Sequence, residues 1–355
     1  MRGFFVFLIM LCALTFPVYA AGIIDSAAVE KALPSSAREL MEGISAESAD
    51  AEGILQRFGD YIKKHVSSEL RAVMRPVGIC IGAAVLCSLG EGLQNKDGMN
   101  YVNFAACLVI AAAALGDVNS VATMGRSAVT EMHEFSKVLL PTMCSAAAAA
   151  GAISSSAAAY AASALFMDVL LSAAESLLLP TVGAYTALLL ASSALGDGRL
   201  KAAVKLLKWV CTRSLCALAA LFSFVLGFTG LASGGVDAAA AKTAKAVLSS
   251  FVPVVGKVVA GASETLVAGM GLVRGAVGIF GLGAVLAVCA APFLAMGLRY
   301  IMFKVAAAVA ALVAGDRLAS LIEGIGSVYG MIMGLVGTGA ALMFVSVLSF
   351  IKAVG

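Results

Sequence analysis

Charge is scarce in this chain. Asp, Glu, Lys and Arg make up 13 % of the residues, where soluble globular domains carry about 25 %. Hydrophobic residues make up 61 % and the mean hydropathy is +1.00, which is the composition of a membrane protein. A net charge of +3 is too small to argue for a nucleic-acid partner. Histidine occurs twice, at His65 and His133. Glutamates flank His133 closely, yet the polar stretch "TEMHEFSK" around it reads as an exposed segment rather than a metal site. The cysteines form no CxxC and no cluster with metal-ligand spacing. Those beyond Cys12 lie in or beside apolar runs, where they read as small packing residues rather than a disulfide framework.

Catalytic motifs are missing as well. GxxxxGK[ST], HExxH and GxSxG do not occur. Asp197 and Asp316 each follow a glycine but lack the GxGD of intramembrane aspartyl proteases, and both read better as helix N-caps. The expectation is a protein that is not an enzyme and that binds no cofactor and no metal. Any energy input comes from a partner.

What is present is a succession of apolar runs. The first, Phe4 to Phe16, follows Arg2 and is broken by Pro17 before Val18-Tyr19-Ala20. The run is short for a span, and the segment after it ends on the small residue Ala20, which favours a cleaved signal peptide at 1–20 over an uncleaved first helix. The chain after it then starts outside the membrane. Residues 21–70 hold nine acidic residues against five Lys/Arg. Ser36 and Glu39 have capping-box spacing, and Ile54, Phe58, Tyr61 and Ile62 recur at helical intervals. This predicts a small extracytoplasmic helical region.

Spans are predicted near 76–94, 101–118, 138–156, 157–178, 179–196, 214–232, 276–297, 299–314 and 326–350. The fold class is therefore all-α, a polytopic helical membrane protein. Between two spans, "GDGRLKAAVKLLKWVCTR" places Lys201, Lys205 and Lys208 on one helical face and Val204, Leu207 and Cys211 on another. That pattern predicts an interfacial basic helix on the cytoplasmic side. Five crossings from an outside start deliver the chain there.

The sequence also echoes itself. "VLLPTMCSAAAAAGAISSSA" resembles "FVPVVGKVVAGASETLVAG", and Pro141 to Pro180 and Pro253 to Pro292 are both 39 residues apart. "ALGDGRL" is echoed by "VAGDRL". These features predict an internal repeat, 128–232 and 233–355, following two first spans in 71–127. Pro141, Pro180, Pro253, Gly256 and Pro292 would break or hinge its helices. Lys257 and Glu264 are seven apart, as are Asp168 and Glu175. Inside a membrane such charges either pair with one another or line a polar path. Gly326, Gly330 and Gly334 form a small-residue stripe for helix packing, within the chain or between the subunits of a homo-oligomer.

Thr243-Ala244-Lys245 followed by Phe251-Val252-Pro253-Val254-Val255-Gly256-Lys257, with Leu139-Leu140-Pro141 and the Gly-Asp before Arg317-Leu318, resembles the stage III sporulation protein AE family. The resemblance extends over nearly all of the chain. It implies a multi-pass protein of the mother-cell membrane surrounding the forespore. It further implies a permease-like or channel-forming subunit of the complex joining mother cell and forespore, required for late forespore gene expression. The alternative within that resemblance is a non-conducting scaffold that assembles the ring proteins. The implied partners are ring-forming proteins, a cytosolic ATPase and a forespore membrane protein, besides the lipid bilayer.

Overall fold

The apolar runs fold into helices much longer than a bilayer is thick. A computed structural model describes residues 29, 31–41, 51–91, 96–149, 153–195, 198–232 and 276–354. A short helix α1 (Ser35–Met41) precedes α2 (Ala51–Glu91) and the 54-residue α3 (Lys96–Ala149). Next come α4 (Ile153–Ala173), a π-turn (Ala174–Leu178) and α5 (Leu179–Leu195), which run on as one rod. Then follow α6 (Gly198–Ala232) and α7 (Ala276–Val354). No strand occurs among the described residues. At 1.5 Å per residue α3 is about 80 Å long, against roughly 30 Å for the hydrocarbon core of a bilayer.

The nine expected stretches thus fall into five helices that are long and apolar enough to cross a membrane. The stretches 101–118 and 138–156 join because the polar residues between them contain no proline. Polarity there marks a change of surroundings, not a loop. The stretches 157–178 and 179–196 join because the π-turn lies just before Pro180, where the ring would otherwise crowd the preceding turn. Pro141 and Pro292 likewise sit inside continuous helices. The basic segment expected to lie along the interface is instead the first half of the transverse helix α6. The chain reaches it after three long helices rather than five spans; both numbers are odd, so it stands at the same side in either count.

In α7 the break falls at Gly315, with φ 75° and ψ 179°. A left-handed φ suits glycine, which lacks the Cβ that would clash. The helix folds back there into two antiparallel legs. Lys304 meets Glu323, and Cβ atoms built on Gly326, Gly330 and Gly337 would lie 3.3, 3.0 and 3.2 Å from Phe303, Tyr300 and Phe293. Gly326 and Gly330 thus seat the first leg against the second, while Gly334 faces Leu215 of α6.

Contacts fix the level of each helix. Cys87 hydrogen-bonds Asn103, and Cys107 bonds the Ser193 carbonyl. Arg317 donates to the carbonyls of Ser193 and Ala194, capping the end of α5 with a cation where the helix dipole is negative. The end of α2, the start of α3, the end of α5, the start of α6 and the Gly315 turn therefore share one end of the bundle. The start of α2, the end of α6, and both ends of α7 lie at the opposite end. Near the turns, large apolar side chains face outward: Ile79, Leu86 and Leu89 of α2, Phe104, Leu108 and Val109 of α3, and Ile301, Val305 and Leu312 of α7. This belt is the lipid-facing surface. On these three helices it ends at a layer of ionisable residues about 20 residues from the turns, roughly 30 Å along the helix, whereas exposed Leu165, Val169, Leu221 and Phe224 continue beyond that level on α4 and α6.

At the far end α1 packs on α7, with Leu40 and Met41 buried and Met41 against Gly283. Glu39 accepts a hydrogen bond from Lys64 of α2, which holds its carboxyl below the ordinary range. A carboxyl lowered on folding stabilises above the ordinary carboxylate range and loses that contribution as pH falls through the lowered value. The α1–α2 contact is therefore expected to hold at neutral pH and to loosen as pH falls below the ordinary carboxylate range. Hydrogen exchange of α1 amides measured against pH checks this. Protection in Glu39→Gln should equal that of the native chain at low pH and lie below it at neutral pH.

Candidate functional site: charged clusters at bilayer depth

Three ionisable clusters lie along the bundle. The most buried centres on Arg299, whose side chain is 7 % exposed. Its Nε donates to both oxygens of Asp117 at 3.2 and 3.3 Å. One terminal nitrogen donates to Glu69 at 2.9 Å and to the Ala295 carbonyl at 3.1 Å. The Tyr329 hydroxyl donates to Asp117 at 2.7 Å. The guanidinium so joins the first leg of α7 to α2 and α3, and Asp117 carries the network on to Tyr329 of the second leg. Only a planar, many-donor cation can serve partners on so many sides at once.

The second cluster joins α3 to the α4–α5 rod. Arg126 reaches Glu175 at 3.1 Å, and the His133 Nε2 lies 3.4 Å from Asp168. The seven-residue spacing of Asp168 and Glu175 is thus answered by the same spacing in α3, as an antiparallel pair requires. His133 is buried, correcting the exposed reading: the helix turns it toward α4, and its Nδ1 has no hydrogen-bond partner.

The third lies inside the apolar belt, where α6 runs beside α7. Lys304 pairs with Glu323 at 2.6 Å, and the Lys208 Nζ donates to Ser327 at 3.0 Å. Nearby the Tyr185 hydroxyl donates to the Gly324 carbonyl. Lys201 and Lys205 extend the row along α6, while Trp209 and Arg213 lie further round its exposed side. Val204 and Leu207 are half-buried and Cys211 is buried, so the two faces read from the sequence are the two faces of the folded helix.

Among the sequence-derived candidates, Lys257, Glu264, Pro253 and Gly256 lie outside the described residues. The structure brings Asp168 and Glu175 to partners on α3 and does not bring Pro141, Pro180 and Pro292 together. Sequence reasoning missed Glu69, Asp117, Arg299 and Tyr329. Two signals pointed there: Gly116-Asp117 is a further Gly-Asp pair, and Arg299 is the one charge between Arg274 and Lys304. No group of three or more His, Cys, Asp or Glu able to hold a metal occurs among the described residues. A small cavity between α5, α6 and α7 is lined by apolar side chains, among them Leu178, Val182, Cys211 and Met331.

Long lipid-facing helices around internal ion pairs define a multi-pass helical membrane protein. The family profile described as Stage III sporulation protein AE matches residues 35–354, and the chain belongs to that family. It is 21 % identical over 282 residues to Stage III sporulation protein AE of Bacillus subtilis (strain 168), covering 78 % of this chain and 70 % of that protein. No solved structure matches it. Family membership implies a role in sporulation.

Proposed function

We propose that this chain is a permease-like or channel-forming membrane subunit of the complex joining mother cell and forespore, with no catalysis of its own. It sits in the mother-cell membrane around the forespore, its N-terminal region outside the cytoplasm after signal cleavage. Ring-forming proteins and a cytosolic ATPase are its partners. One observation supports conduction above all: the exposed face of α6 carries Lys201, Lys205 and Lys208, a row that runs from the end of the bundle into the apolar belt, where Lys208 is held on Ser327. A lysine at the centre of a lipid-facing helix costs about 2.5–3.5 kcal/mol on insertion scales. Lys208, held at that depth, calls for water or protein, not lipid, beside it.

The self-contained pairing of Arg299 and of Arg126 within one chain favours the other reading, a rigid scaffold. Thiol labelling separates the two. Single cysteines at 201, 205, 208, 209 and 212, in full-length protein without native cysteines, are treated with a membrane-impermeant thiol reagent. Conduction predicts rapid labelling along this face, with protection at 204 and 211. Protection at every position, in protein that supports sporulation, would leave the scaffold.

A further inference from the structure

We infer that the exposed face of α6 between Lys201 and Arg213 is an anion-binding stripe that takes solutes carrying phosphate or carboxylate groups. The inference rests on the conducting reading and adds the chemical class of what passes.

Depth is the first part of the argument. Lys208 is tied sideways to Ser327, which lies 12 residues beyond the Gly315 turn. At 1.5 Å per residue that is about 18 Å from the end of the bundle, near the middle of a 30 Å belt. Lipid-facing Ile301 and Val305 stand at the same level on α7, close to Lys304. A lysine at the membrane edge can extend its stem to the headgroups. Lys208 does not, because its ammonium is held on α7.

Charge is the second part. Lys208 and Lys304 have Glu323 beside them, and Glu323 is already engaged by Lys304. The Thr212 hydroxyl returns to the Lys208 carbonyl and adds no acceptor outward. Beside exposed Leu206 and Trp209, the face therefore offers donors and positive charge. Cation-lined surfaces with low-dielectric walls concentrate anions by about tenfold or more.

The probe is built in. Trp209 is the single tryptophan of the chain, it is 57 % exposed, and it stands among these lysines. The full chain in phosphatidylcholine nanodiscs is titrated at low ionic strength with iodide, caesium, acrylamide or brominated lipid. Iodide is expected to quench Trp209 several-fold more strongly than caesium. Inorganic phosphate should compete, and Lys201→Gln with Lys205→Gln and Lys208→Gln should abolish the preference. Repeating the titration with phosphatidylglycerol identifies the source of the anion. Competition by phosphate that persists assigns the stripe to free solutes. A preference for iodide already abolished by phosphatidylglycerol assigns it to lipid headgroups and overturns the solute assignment. Equal quenching by iodide and caesium, with acrylamide effective, would overturn the anion stripe while leaving a watery face and the conducting reading. Quenching by brominated lipid in place of the aqueous quenchers would overturn both.

Discussion

Arg299→Met is expected to lose a large share of the protein's stability. The substitution keeps an unbranched apolar side chain of similar reach but removes the one cation of the buried network. Asp117 and Glu69 would then face each other's charge with only the Tyr329 hydroxyl as donor. Removing one partner of a buried ion pair costs about 3–5 kcal/mol, a large share of the 5–15 kcal/mol by which proteins are typically stable. Arg299→Lys should fall between, since an ammonium cannot reach Asp117, Glu69 and the Ala295 carbonyl together. The decisive comparison adds Glu69→Gln and Asp117→Asn to Arg299→Met. If uncompensated charge is the cause, the triple variant melts above the single one in detergent. If the triple variant melts still lower, packing around the guanidinium carries the stability. A single variant that melts with the native chain would mean that the network contributes nothing.

Why this cluster escaped the sequence is a matter of separation. Arg299 stands 182 residues from Asp117 and 230 from Glu69. No helical or strand period links such positions. By contrast, Asp168 and Glu175 announce themselves through a spacing of two helical turns, and Arg126 and His133 repeat it on the neighbouring helix. Their pairing needed only the knowledge that α3 and α4 form a hairpin. The all-α membrane class was legible for a simpler reason: burial in lipid demands long apolar runs, and these survive any error in counting them. The count itself failed where polarity was taken for a turn. Residues 119–137 are polar because Arg126 and His133 meet Glu175 and Asp168 there, just beyond the Asp117 network, while the backbone remains helical throughout. Proline misled in the same direction. Pro180 and Pro292 suggested breaks, yet the largest change of direction among the described residues of α7 is made by Gly315, whose φ no proline could adopt. The glycine stripe at 326, 330 and 334 was visible as a spacing, but only the folded legs show Phe303 and Tyr300 lying over its first two members.

Glycine substitutions should divide sharply according to what lies over each position. A Cβ added at Gly125 would stand 2.3 Å from Cγ2 of Ile332 and 3.5 Å from the Met296 methyl. Ile332 is buried, and its branch sits on Cβ, so it has little rotational escape. Overpacking of this kind costs about 1–3 kcal/mol. Alanine for glycine inside a helix gains about 1 kcal/mol from propensity, so Gly125→Ala should be a net loss and Gly125→Leu a larger one. At Gly324 the obstacle is the end of the Leu189 side chain, which can rotate, so Gly324→Ala should cost less despite a separation of 2.4 Å. Gly116, on the same helix as Gly125, has nothing within 4 Å, and neither do Gly78 and Gly82. Alanine at these three sites should leave melting unchanged or raise it. The comparison within α3 is the informative one, because Gly116→Ala and Gly125→Ala make the same change to the same helix nine residues apart. Replacing Ile332 with leucine, which moves the branch away from Cβ, should restore part of the stability lost in Gly125→Ala while doing nothing for the Gly116 variant. Melting of Gly125→Ala at or above the native temperature would mean that α3 does not approach the second leg of α7 as closely as the structure has it. The Arg299 network, which depends on that approach, would then be looser too.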